Sequence, residues 1–158
     1  MNWRFICFGL FMLGLGETRG GVAGAVTGFV GGAAGAAGAL VGVFSLNQID
    51  VHSLAAYAFF NLGWVAVGLA SADFLARPDW RFPGWLAAPG FATVASFLGF
   101  MVAYAGSATS TGAGLEPSTT RAGFDPVTTF EWAAIIGTLA WTFLVAWTWE
   151  HGPRQVIA

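Results

Sequence analysis

From Gly20 to Phe44 the chain runs 25 residues without an ionisable side chain, and its glycines recur at Gly20, Gly24, Gly28 and Gly32, then Gly31 and Gly35, then Gly38 and Gly42. A glycine inside a helix in water costs about 1 kcal/mol relative to alanine, so the nine glycines from Gly20 to Gly42 would cripple a solvated helix. In lipid the backbone must bond to itself, and small residues four apart leave a groove into which a second helix can press. The stretch therefore reads as a membrane helix with a packing face made of Gly20, Gly24, Gly28, Gly32, Gly35, Gly38 and Gly42. The spacing does not say whether the partner is another helix of the chain, a second copy or a different subunit.

Composition agrees with a membrane setting: 56% of the residues are hydrophobic and 9% charged, against about 25% charged in an average soluble domain. Six arginines, no lysine and a net charge of -2 leave no basic stripe for nucleic acid. Crossing hydrocarbon takes about 20 apolar residues, and four stretches meet that need: roughly 21–46, 53–75, 84–106 and 129–149. The reading is an all-α, polytopic transmembrane helix bundle over residues 1–158, with four long membrane helices plus a short N-terminal apolar helix over residues 3–16. That short run suits a signal-peptide core cleaved after Gly16, an interfacial helix, or a fifth, tilted span.

Charge placement orients the bundle. If the first long helix starts in the cytoplasm, Arg19, Arg77, Arg81 and Arg154 lie inside and Arg121 outside, in agreement with the positive-inside bias. Arg4 lies inside with four spans and outside with five. Both ends of the long bundle then face the cytoplasm, in what reads as a prokaryotic inner membrane. Pro78 and Pro83 break the connection between the second and third spans, where Trp80 and Trp85 suit the headgroup layer. Residues 107–128, rich in Ser, Thr and Gly with Pro117 and Pro126, read as the one sizeable polar loop. The single cysteine, Cys7, sits in an apolar run and reads as a small buried hydrophobe.

Chemistry-bearing residues are sparse. His52 and His151 are separated by an odd number of crossings, so a haem shared between them is disfavoured, and no HExxH or CxxC spacing suggests a metal site. Asn47, Gln48, Asp50 and His52 lie between the first two long spans while Glu131 opens the last, so Asp50, His52 and Glu131 share one membrane face. They form a small polar mouth with the minimum for acid-base work or proton sensing, or simply a helix entry that meets water. Asn61 lies deeper, on one helical face with Tyr57 and Trp64, and reads first as helix-to-helix glue. Asp73 and Arg77, four apart, read as a boundary ion pair. Trp64 and Trp141 lie deep enough to pack on the glycine groove or to contact a ligand. Lipid is the ligand to expect of so apolar a chain, and aromatic faces alone do not separate it from a pigment, a quinone or a haem.

One local pattern suggests a family. Gly42-Val43-Phe44, a short polar link, His52, Ala55-Ala56 and Phe59-Phe60 resemble a signature of small prokaryotic membrane proteins related to the DRAM autophagy-modulator group. The resemblance implies a polytopic protein linked to lipid organisation or remodelling, with His52 as the position to test, and it carries no catalytic residue set. Three functions follow from the sequence: a non-enzymatic structural or accessory subunit whose glycine helix packs against other membrane subunits or against its own copy; a lipid-organising protein; and a small transporter or channel.

Overall fold

The computed structural model describes residues 3–44, 48–111 and 125–151. Five α-helices make up nearly all of these: α1 (Trp3–Arg19), α2 (Gly21–Val43), α3 (Ile49–Ala76), α4 (Ala87–Thr111) and α5 (Pro126–His151), with one 3-10 turn over Gly84–Leu86 leading into α4. Among the described residues four segments are long and apolar enough to cross a membrane: α2, α3, Gly84–Gly106 and α5. Side chains such as Val22, Phe29, Leu54, Val102 and Phe143 are well exposed on the bundle surface, where hydrocarbon rather than water makes their exposure favourable. The protein is an integral membrane protein built as an all-α helix bundle.

α1 and α2 form a helical hairpin with almost no loop. Gly20 and Gly21 both have φ of 65°, a region that side chains strongly resist, and Gly20 alone separates the two helices. The chain reverses there, so α1 runs antiparallel along α2. At the turn, Gly16 meets Gly24 and Gly28; midway, Met12 covers Gly31; further on, Gly9 meets Gly35; and the Phe5 ring lies over Gly38. A methyl group on Gly16 would sit 2.5 Å from the Gly24 carbonyl oxygen and 2.8 Å from the Gly28 Cα, and one on Gly35 would sit 2.6 Å from both the Gly9 nitrogen and the Phe5 oxygen. Backbone thus touches backbone at two levels, which only glycine permits.

This corrects several readings of the sequence. The N-terminal helix continues through Gly16 to Arg19, beyond the 3–16 read from the sequence, and Gly16 lies in its tightest contact with α2. At 17 residues, α1 is about 25 Å long, and its start lies at the far end of the bundle from Gly21. Two glycines assigned to the packing face lie elsewhere: Gly20 is the turn residue with open space around it, and Gly42 is exposed in the last turn of α2. Gly32 lies at the edge of the contact, against Leu13. Cys7 points outward from α1 instead of being buried.

The other half of the bundle also sets large side chains over glycines. Phe97 of α4 lies over Gly63 of α3, Phe130 of α5 over Gly99 of α4, and Trp141 of α5 beside Gly90 of α4. Trp141 is fully buried and its indole nitrogen donates to the Leu86 carbonyl at 3.1 Å. The deep tryptophan therefore packs on the glycine of α4, because the glycine face of α2 is already filled by α1. The last two spans also differ in extent. α4 continues to Thr111 and α5 begins at Pro126, so the polar loop is shorter at both ends than 107–128; residues 112–124, with Pro117 and Arg121, lie outside the described residues. Asp125 accepts from the Val127 and Thr128 amides, and Pro126 takes the first helical position, where its missing N–H is no loss.

A charged cluster locks the hairpin to the rest of the fold. Asp73 and Arg77 pair across one turn of α3, Arg77 Nε donating at 2.7 Å. Arg19 joins them from α1: its guanidinium bonds to Asp73, to Asp79 Oδ2 at 2.7 Å and to the Arg77 carbonyl at 2.7 Å. It also lies over the stacked rings of Phe74 and Phe82, at 5.8 and 5.3 Å. With 8% of its side chain exposed, Arg19 depends on these partners for its solvation.

Two stability predictions follow from these contacts. Gly16→Val should lower stability by about 1–3 kcal/mol or more through overpacking, seen as a lower Tm in mild detergent, whereas Gly14→Ala, with open space around it, should leave Tm nearly unchanged. Asp73→Ala should cost up to about 3–5 kcal/mol by removing the more buried of the two carboxylates that compensate the Arg19 charge and leaving only Asp79, while loss of the exposed Arg77 side chain should cost less than about 1 kcal/mol. Equal losses from the two would contradict the role given to Arg19.

Candidate functional site

A cavity of about 350 Å³ lies between α3 and α4 at the end of the bundle opposite the Arg19 cluster. Its wall on α3 is Ile49, His52, Ser53, Ala56, Tyr57, Phe60 and Asn61, a run at three- and four-residue spacing that forms one helical face. α4 supplies Phe100, Met101, Tyr104 and Ala105 at the same spacing. The Phe60 and Phe100 rings stack with centroids 4.0 Å apart, Phe100 stacks in turn on Tyr104 at 5.9 Å, and Tyr57 meets Tyr104 edge-on at 6.0 Å. The groove is thus apolar and aromatic along its length. Ile49 and Tyr57 are about half exposed, so the groove opens sideways toward lipid. From Ile49 to Asn61 the helix rises about 18 Å, close to the depth of one leaflet of a hydrocarbon core about 30 Å thick.

Polar groups mark both ends of the groove. His52 lies in the first turns of α3, not in a loop before it, and its Nδ1 is 2.9 Å from the Phe44 carbonyl oxygen at the end of α2. A carbonyl only accepts, so Nδ1–H donates. Asn61, at the deep end, donates from its amide nitrogen to the Tyr57 carbonyl at 2.8 Å. That bond stays within α3, and the second amide hydrogen and the amide oxygen remain for other partners.

The other residues singled out from the sequence fall around this mouth. Glu131 of α5 is partly buried and within electrostatic reach of His52 and Asp125. Asp50 is exposed in the first turn of α3, and Asn47 lies outside the described residues. Asp50, His52 and Glu131 therefore share one end of the bundle, while only His52 and Asn61 line the groove. His151 lies at the other end of the bundle, stacked on Trp147 at 4.0 Å, so the two histidines cannot share one iron. Among the described residues no group of three or more His, Cys, Asp or Glu is placed to hold a metal ion. Trp64 packs against the buried cluster around Phe59, Phe60 and Phe97 rather than lining the groove.

The aromatic wall itself was missed from the sequence. Its signal was present as the i, i+3, i+4 runs in α3 and α4, but their facing register required the α3–α4 pairing.

Comparison with known proteins adds no identity to this geometry: no family model matches the chain, and neither a curated protein nor a solved structure matches it.

The start of α5, beside the mouth, has a defined pH response. Bonds from the Thr128 hydroxyl, and then from the Thr128 and Val127 amides, hold the Asp125 carboxyl below the usual carboxylate range. A depressed folded-state pKa contributes stability above the ordinary carboxylate value, and that stability is lost as pH falls through the lowered value. Hydrogen-exchange protection of the Thr128 and Thr129 amides should therefore fall below about pH 4, and Asp125→Ala should reduce it at neutral pH and flatten its pH dependence. Protection in Asp125→Ala that still tracks pH as in the parent would contradict the assignment.

Proposed function

We propose that this membrane protein is a non-enzymatic, lipid-organising protein that holds one amphiphile per chain in the α3–α4 groove. The observation that supports this reading is the groove itself: an apolar cavity of about 350 Å³, open toward lipid, about one leaflet deep and polar at its ends. Its volume lies at the small end of the range typical of ligand pockets, about 300–1,000 Å³. The resemblance around His52 implies a role of the same kind.

An accessory subunit docking through its glycine helix has less support, because Gly24, Gly28, Gly31, Gly35 and Gly38 face α1 of the same chain. What α2 offers outward is a stripe of Val22, Val26, Phe29, Leu40 and Val43, as ordinary lipid-facing helices do. We place the protein in a prokaryotic inner membrane with the Arg19 end cytoplasmic. Among the described arginines, Arg19, Arg77 and Arg81 cluster at that end and Arg4 lies at the other, in keeping with the positive-inside bias.

Native mass spectrometry of protein extracted from its own membrane into mild detergent tests the reading. The parent should carry close to one amphiphile per chain. Ala56→Phe, which fills the groove, should reduce occupancy about tenfold, the loss of about 1.4 kcal/mol of binding, without loss of the folded bundle. Unchanged occupancy in the filled variant would contradict it.

A further inference from the structure

We propose that His52 is the residue that reads the headgroup in this groove, and that the amphiphile it takes carries an uncharged hydroxyl head rather than a phosphate. The inference rests on the groove being an amphiphile site, and adds the chemistry of its polar end.

The geometry around the imidazole carries it. Nδ1–H is committed to the Phe44 carbonyl at 2.9 Å, and because that oxygen can only accept, Nδ1 keeps its proton whether the ring is neutral or charged. The bond also ties the ring to the end of α2 and limits its rotation. Only Nε2 changes character: it accepts when the ring is neutral and donates when the ring is protonated. A hydroxyl both donates and accepts, so it bonds to Nε2 in either state. An ionised phosphate oxygen accepts only, so it is served by the protonated ring alone. Ser53, next along the wall, adds a second hydroxyl-compatible group at the same depth.

Charge points the same way. Glu131 lies within electrostatic reach of both His52 and Asp125, and Asp50 lies two residues before the histidine. The groove wall contains no arginine or lysine; Arg4, at the same end, is exposed on α1. A phosphate seated at Nε2 would face this acidic surround with no guanidinium among the described groove-lining residues to answer it, in a medium where like charges repel strongly. A neutral hydroxyl head meets no such penalty. The groove's depth assigns the rest of the ligand: an apolar chain running along Ala56, Tyr57, Phe60 and Phe100 toward Asn61.

The test uses the full chain in detergent, titrated by native mass spectrometry with monooleoylglycerol and with oleoyl lysophosphatidic acid, which share the chain and glycerol and differ by the phosphate. The neutral probe should bind about tenfold more tightly at neutral pH, the worth of one well-made hydrogen bond. His52→Phe should erase that preference, while His52→Gln, which retains a donor and an acceptor, should keep part of it. Ala56→Phe should weaken both probes alike. Equal affinity for the two probes, tighter binding of the phosphate, or a preference unaffected by either His52 variant would overturn the role of His52 while leaving the groove as an amphiphile site. Failure of both probes to bind the parent would overturn the groove reading together with this one.

Discussion

The backbone contact between α1 and α2 is the constraint on which the rest of the bundle depends. Two helices normally lie 8–10 Å apart because side chains hold them there. Here Gly16 against Gly24 and Gly28, and Gly9 against Gly35, remove those side chains at two levels. The contact cannot be driven by the hydrophobic effect, because lipid tails are as apolar as leucine; it rests on dispersion between closely apposed backbones. The Gly20–Gly21 reversal makes the two helices one unit and presets their register. The Arg19 cluster then fastens the turn end of that unit to α3 and to the connection before α4.

With α1 filling the glycine face of α2, the groove lies elsewhere, between α3 and α4. The α3–α4–α5 half packs with the opposite rule, large rings over isolated glycines: Phe97 over Gly63, Trp141 beside Gly90 and Phe130 over Gly99. Rings seated this way hold α3 and α4 together near Phe97. Toward the His52 end, Phe60 and Phe100 stack on each other, and the groove opens beside them. The site is thus a consequence of where this packing ends, with His52 tied to α2 at its mouth.

Much of this architecture was legible in the sequence because the bilayer imposes strict rules. The spans show as apolar runs of 20 residues or more that hold at most one carboxylate each, and the Asp73–Arg77 pair shows as a four-residue spacing at a span end. The glycine spacing announced a close contact but not its partner, because a groove of glycines has no side chains to specify who fills it. α1 was ambiguous because its length, 17 residues, falls below the usual span while its own glycines, Gly9 and Gly16, acquire meaning only opposite those of α2. Arg19 counted only as one of the cytoplasmic-side charges, since nothing local shows that Asp73 and Asp79, more than 50 positions away, converge on it. The start of α5 was misplaced for a different reason: Asp125-Pro126 is a helix-entry signal, and the surrounding Ser, Thr and Gly masked it. His52 and Asn61 were found as polar exceptions, but the wall between them consists of ordinary apolar residues that only a tertiary pairing turns into a groove.

The central claim is that α1 fills the glycine face of α2 within one chain. Cross-linking tests it most directly: in native membranes, with Cys7→Ser as background, cysteines are placed at Phe5→Cys and Gly38→Cys, where a Cβ on Gly38 would lie 3.0 Å from that of Phe5, near the roughly 3.8 Å of a disulfide. The account predicts efficient bond formation with the product migrating as a single chain. A cross-link that joins two chains, or none under oxidation that links exposed control pairs, would contradict it.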